Sequence, residues 1–319
     1  MAQPTPQSVH IDTALSNVSI GYKNEGYVAD QVFPIVPVDK QSDYYFIFDK
    51  DFWFRNSVQV RGPGGTYAEG GIKISNTTFV CKNKGLSFPL PWETLKNQDA
   101  AVDLETSGAE WLADQFMLDR EIALAAKIMD ASAWTGYTTL TGGDQWSDYG
   151  GSDPIKNIEA GKEAIKKRIG RYPNLALMGA EVWDKIKFHP DLLDIYKHTQ
   201  VPIMTVDLVA KVFDVERIIV GNAIYNSTAE GSGSFNGAYI WPKNVLLAYV
   251  PKAPSLRTPA AGYTFVWKQD GAGGAGSYTI PIERITERAR KRDRLLADHA
   301  FDQKVVGADC GYEVIDAVA

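Results

Sequence analysis

Between Asp43 and Lys84 the chain spells out a long, two-legged β excursion with nothing obvious of its own to bury against. The outgoing leg, Asp43-Tyr-Tyr-Phe-Ile-Phe-Asp-Lys-Asp-Phe-Trp-Phe54, is dense in the aromatic and β-branched residues that favour strands. Its tip carries Gly62, Pro63, Gly64, Gly65, Gly70 and Gly71, and the return leg alternates Ile72, Ile74 and Phe79 with polar neighbours. An unbroken outgoing strand puts Tyr44, Phe46, Phe48, Phe52 and Phe54 on one face, with Tyr45, Ile47 and Trp53 opposite. A two-stranded ribbon with apolar rows on both faces is marginal in water. The partner that best explains it is another copy of the same chain, so Tyr44, Phe46, Phe48, Phe52, Trp53 and Phe54 are the predicted intersubunit contacts. This feature points to assembly rather than catalysis.

At 319 residues the chain can build a large core as one elaborate domain or two. A net charge of −6 argues against gripping nucleic acid as its main task, because phosphate binding needs a basic surface. Cys81 and Cys310 stand far apart and read as two independent reduced thiols. The N-terminus has no basic start and no apolar run, and no uncharged stretch approaches a membrane span of ~20 residues. The expectation is a soluble protein made in the cytoplasm, without a signal peptide.

Residues 1 to about 40 read as an extended arm punctuated by Pro4, Pro6, Pro34 and Pro37. The strongest helix runs from roughly Ala101 to Trp134, with Trp111, Leu118, Ile122, Ala125 and Met129 as its apolar stripe, widened by Leu112 and Phe116. Acidic residues crowd its start, where a helix favours negative charge. A turn-rich link follows, and a second helix opens with Asp153 as N-cap and Pro154 at its first position, closing at Gly170. Apolar strands at Leu175 to Met178, Arg217 to Gly221 and Val245 to Val250, with helices between them, give a compact α/β unit. Beyond it the chain returns to β structure.

Signals for chemistry are weak. Gly271-Ala-Gly-Gly-Ala-Gly276 has the spacing of a dinucleotide loop, but Ser277-Tyr-Thr-Ile-Pro-Ile282 follows where the motif needs a helix N-terminus. A flexible hairpin tip fits that context better. The basic run from Arg284 to Arg294 carries Glu283, Glu287 and Asp293 among its cations; it reads as an ion-paired strip, with a phosphate-binding patch as the other reading. His10, His189, His198 and His299 lack paired-ligand spacing, and no serine or cysteine has the neighbours of a nucleophile. The reading contains no catalytic, cofactor or metal residue, and no enzyme.

The order of parts resembles the major capsid proteins of tailed bacteriophages, the Hong Kong 97-like fold. Val32-Phe-Pro-Ile-Val-Pro-Val-Asp39 looks like the entry from arm to loop, and Phe301-Asp-Gln-Lys-Val-Val306 with Gly311-Tyr-Glu-Val314 looks like the closing strands. The resemblance implies an α+β chain divided into an N-arm (1–43), an extended β loop (44–92), a peripheral domain with a spine helix (93–149 and 262–298), an axial α/β domain (150–261) and C-terminal strands (299–319). It implies self-assembly into pentamers and hexamers and then an icosahedral shell around packaged phage DNA, touched only weakly and without sequence preference. A portal, and separate scaffolding or decoration proteins, are further implied partners; no membrane is. The implied place is the virion, after synthesis in the host cytoplasm. Some members carry a helical scaffolding segment ahead of the arm; this chain reaches its arm almost at once, so none is expected. Covalent cross-linking through Lys73, Lys82 or Lys84 is not carried over. Two rival readings stand beside this one: an α/β enzyme or nucleotide binder centred on 150–260, and another shell on the same fold with a different cargo.

Overall fold

The computed structural model describes residues 24, 26–98, 103–196, 204–229, 231, 233–254, 258–268 and 280–319. Most of the expected N-arm, His10, His198 and the glycine run at 271–276 lie outside them.

The first part of the chain holds α1 (Ala29–Val32), β1 (Ile35–Val38), β2 (Ser42–Phe48), α2 (Lys50–Trp53), β3 (Ile74–Val80), β4 (Lys82–Pro91), α3 (Trp92–Asn97) and the long α4 (Leu104–Ile128). The middle adds β5 (Tyr137–Thr139), α5 (Pro154–Ile169), β6 (Leu175–Gly179), α6 (Ala180–Ile186), α7 (Pro190–Tyr196), α8 (Val206–Val212) and β7 (Arg217–Gly221). Then come β8 (Ile224–Asn226), β9 (Gly237–Tyr239), β10 (Val245–Ala248), β11 (Gly262–Trp267), β12 (Ile282–Glu287), β13 (Arg292–Val305) and β14 (Gly311–Ile315).

The first sheet is built on β13. β4 pairs antiparallel along one of its edges, from Arg292 to Phe301, while β12 and β11 share the other and β1 extends β11 in parallel. The expected loop span of 44–92 therefore holds two different things, a free ribbon and, in β4, a strand of the main sheet. The second sheet has the order β5-β14-β10-β6-β7. Every residue of β6 and β10 is buried, which is why these strands read as unbroken apolar runs. Ala176, Met178, Val245 and Leu247 face Ile158, Ile165, Val182 and Val209 of the helices. Leu175, Leu177, Leu246 and Ala248 face Leu124, Ile128 and Trp241 on the other side. The tail divides between the sheets: residues 299–305 complete β13, whereas β14 lies between β5 and β10.

The helix α4 ties the two sheets together. Asp103 caps it by accepting from the amides of Glu105 and Thr106 at 3.0 and 3.3 Å. It stops short of the expected Trp134, because Asp130 caps a short 3₁₀ turn and the Trp134 indole turns back to donate to the Ile128 carbonyl at 2.8 Å. Seven of its nine buried positions, Leu104, Gly108, Leu112, Phe116, Arg120, Leu124 and Ile128, advance in steps of four, with Glu121 and Ala125 beside them. At 100° per residue that face winds roughly 240° round the helix from end to end. One end packs on Leu90 and Leu295 of the first sheet, and the other on the second. The straight stripe read from sequence is consequently not the buried face: Trp111 and Ile122 are exposed, and of the five positions only Ala125 is buried.

Helix α5 follows the sequence signals closely. Asp153 accepts from the Lys156 amide at 2.9 Å, and Gly170 closes the helix with φ 71°, a conformation that side chains disfavour.

Candidate assembly surface

β2 and β3 form an isolated antiparallel ribbon, with Ser42 opposite Val80 and Phe48 opposite Ile74. Its two faces differ. On the inner face Tyr45 and Phe79 stack on Phe265 of β11, with ring centroids 5.8 and 4.5 Å apart. On the outer face Tyr44, Phe46, Ile74 and Val80 stand exposed and Phe48 is half-buried, a bare apolar row. The outgoing strand does not run unbroken to Phe54. Asp49 ends it, accepting from the Asp51 amide at 3.0 Å to cap the helical turn α2, so Phe52 and Trp53 sit on that turn and Phe54 just after it. Phe52, Trp53 and Phe54 are all exposed. Residues 54–78 are exposed throughout, and the loop curls round an open hollow lined by Phe52, Val58, Tyr67 and Ile72.

The base of the ribbon is held by groups that alternation could not reveal. The Val80 amide donates to Asp302 at 3.1 Å, and Lys127 of α4 approaches the same carboxylate at 3.7 Å. Burial pulls the Lys127 ammonium below its ordinary pKa, against the opposing pull of Asp302. Cys81, fully buried at the exit of β3, has its thiol pushed up to about 11 by burial and is inert in that state.

A second anchor fixes the segment leading into β1. Buried Glu121 of α4 accepts from the Val28 amide at 3.0 Å, the Ala29 amide at 2.8 Å and the Trp241 indole at 2.6 Å. It thereby caps α1 from another helix. Burial raises its pKa in spite of these bonds. Beside it Arg120, buried in the same helix, pairs with Asp30. Both charged residues sit on the buried face of α4, and in the sequence they stand only as part of a charged Asp119-Arg120-Glu121 run.

The rival enzymatic reading has one constellation in its favour, and the hydrogen bonds count against it. Ser152 Oγ lies 3.0 Å from His189 Nε2, and Asp191 Oδ2 lies 3.7 Å from Nδ1. His189 Nδ1, however, accepts from the Asp191 amide at 3.3 Å, so the ring proton is on Nε2 and donates to the serine oxygen. Ser152 Oγ in turn donates to the Asp148 carbonyl at 2.6 Å. A serine nucleophile needs the opposite tautomer, with Nε2 free to take its proton. Burial lowers the His189 pKa further, which suits a neutral structural ring.

Three of the six cations of the basic run are tied down inside the chain, while Arg288, Arg290 and Lys291 stand exposed at the turn between β12 and β13. Arg284 bonds Glu105 and Asp293, while Arg292 and Arg294 share Glu287, all at 2.5–3.0 Å. Among the described residues no group of three or more His, Cys, Asp or Glu side chains could hold a metal ion, and no helix is long and apolar enough to cross a membrane.

Against known proteins, residues 135–263 match the family model described as phage major capsid protein E. The major capsid protein of Burkholderia phage BcepMu is 28% identical over 309 residues, spanning 95% of each chain. Among solved structures, a phage-related protein from Bordetella bronchiseptica RB50 superposes with a TM-score of 0.71 at 23% identity, covering 96% of this chain and 97% of that one. The capsid of cyanophage P-SCSP1u gives 0.64 at 10% identity over 97% and 93%. The chain is similar to phage major capsid proteins, and its fold is Hong Kong 97-like. Its role is structural, the forming of a phage shell. The family match covers β5 to the start of β11, which takes in the second sheet except β14, together with its helices, whereas the similarity to the BcepMu capsid protein spans nearly the whole chain.

Proposed function

We propose that this capsid protein closes its shell by laying the β2–β3 ribbon and the α2 turn across a neighbouring subunit. The observation that carries the proposal is the asymmetry of the ribbon, anchored through Phe79 on one face and apolar but bare through Tyr44, Phe46 and Ile74 on the other. Exposed apolar side chains also stand elsewhere on the chain: Trp111 and Ile122 on α4, and Ile282 and Ile285 on the edge strand β12. These are the natural receivers of the ribbon from another copy. The second sheet with its helices, rigid and buried on both faces, supplies the body that clusters at capsomer centres. Pentamers and hexamers of this unit would close into an icosahedral shell around packaged DNA, with a portal at one vertex and scaffolding or decoration proteins as accessory partners. The net charge of −6 suits a container that must not adhere to a polyanion. No reaction is assigned to the chain.

The test is to delete residues 56–71 and rejoin the ribbon with a short turn. The subunit or capsomer should stay folded, with an unchanged thermal midpoint, and fail to give shells in negative-stain micrographs. Normal shells from the deletion, or loss of the subunit's own fold, would refute the intersubunit arm.

A further inference from the structure

The far end of the ribbon rests on its own subunit. Lys50 Nζ, on α2, lies 2.5 Å from Asp309 Oδ2 in the turn that leads into β14. Four residues on, the Phe54 ring sits 3.6 Å from where a Cβ on Gly170 would be, over the C-terminal cap of α5. Two contacts from one helical turn thus hold the arm down on the edge of the second sheet. Both are shallow: Lys50 is about half exposed and Phe54 more so.

We infer that this contact is a latch that parks the arm on its own subunit and must open before the arm can reach a neighbour. The inference rests on the intersubunit reading of the ribbon. Three features suit a latch. An exposed ion pair is weak enough to be outweighed when an apolar row is buried. Asp309 keeps a second cation, Arg168, whose charge also favours its ionised form, so opening does not strand a carboxylate. Lys50, once released, is flanked in sequence by Asp49 and Asp51. The anchors at the base, Phe79 on Phe265 and Val80 on Asp302, are separate from the latch, so the ribbon can swing without detaching. Gly170 contributes by having no side chain to hold the Phe54 ring away.

The test compares assembly of the full chain, followed by light scattering, for Lys50→Ala, Asp309→Asn and the exchanged pair Lys50→Asp with Asp309→Lys. Each single variant should shorten the lag about two- to fivefold, the range an exposed pair can supply. The exchanged pair should bring it back towards the original. All should melt close to the parent as free subunits, since Lys50 is half exposed and Asp309 only partly buried. In the parent, deuterium uptake at 50–54 should rise with added salt, which screens such a pair. An unchanged or longer lag in the single variants, or uptake that ignores salt, overturns the latch. Phe46→Ala, on the bare row, serves as the separate control. If it leaves shell yield intact, the intersubunit reading fails; if it lowers yield while the Lys50 variants behave like the parent, only the latch fails.

Discussion

Leu175–Gly179 and Tyr44–Phe48 are stretches of similar length and similarly apolar character, and the fold treats them in opposite ways. The first is central in a sheet covered on both faces, and all five of its residues are buried. The second belongs to a two-stranded ribbon with one covered face, and leaves Tyr44 and Phe46 more than half exposed. The difference lies in what each strand finds within its own chain. Leu177 meets α4 on one side of its sheet, and Met178 meets the helices on the other. The ribbon's aromatic rings find a stacking partner on one side, in Phe265. The bare row is the surface that the proposed intersubunit contact would cover.

The comparison breaks first in the core. Leu177→Ala should destabilise the free subunit by about 2–5 kcal/mol, because it opens a cavity between the second sheet and α4. Chemical denaturation of the unassembled protein checks this, and a loss under ~1 kcal/mol would mean that the sheet is not the rigid body described here.

A smaller effect comes from two buried titratable groups that lie under the sheets and have no counterpart in the ribbon. Burial pushes the Glu313 carboxyl up to about 7, Asp130 adding to the rise and the Asn244 amide opposing it. Burial, aided by Arg120 and Lys84, pulls His299 down to about 4. The folded state holds the Glu313 proton more tightly than the unfolded chain does. The associated stability is therefore complete below the ordinary value of 4.5 and is lost as pH rises through 7. His299 has the opposite slope: its contribution is complete above 6.5 and is lost as pH falls to 4. Glu313→Gln should raise the thermal midpoint at about pH 8 and change little at about pH 4, while His299→Gln should flatten the acid limb. Each effect should be roughly 1–3 kcal/mol. Melting curves across this range decide, and an unchanged alkaline limb in Glu313→Gln would show that the carboxylate is hydrated instead of buried.

Much of this contrast was legible in the sequence, for identifiable reasons. The aromatic leg and its glycine-rich tip stood out because strand propensity and turn chemistry are local. The same holds for Asp153, Pro154 and Gly170 at the ends of α5, and for the buried runs of β6, β7 and β10. Four features were not legible. The break at Asp49 depends on a four-residue turn capped by one side chain, too short for periodicity to reveal. The buried face of α4 winds because its two ends pack on different sheets, and a single stripe cannot represent two partners. Glu121 and Arg120 are buried charges partnered by groups 90 or more residues away, among them Val28 and Asp30, which no window of sequence brings together. That Tyr44, Phe46 and Phe48 share one face was legible; the contact of Lys50 with Asp309 was not, since 259 residues separate the pair.

The central claim is that the ribbon's apolar surface is buried between subunits and not within one. Calorimetry of Trp53→Ala as free subunit and as assembled shell tests it most directly. Trp53 is exposed in the single chain, so the free subunit should melt within ~0.5 kcal/mol of the parent. Truncating a buried aromatic typically costs about 3–5 kcal/mol, so shells should form in lower yield or melt at a clearly lower temperature. A free subunit that loses stability, with shells showing no additional loss, would contradict the account and place the ribbon on its own core.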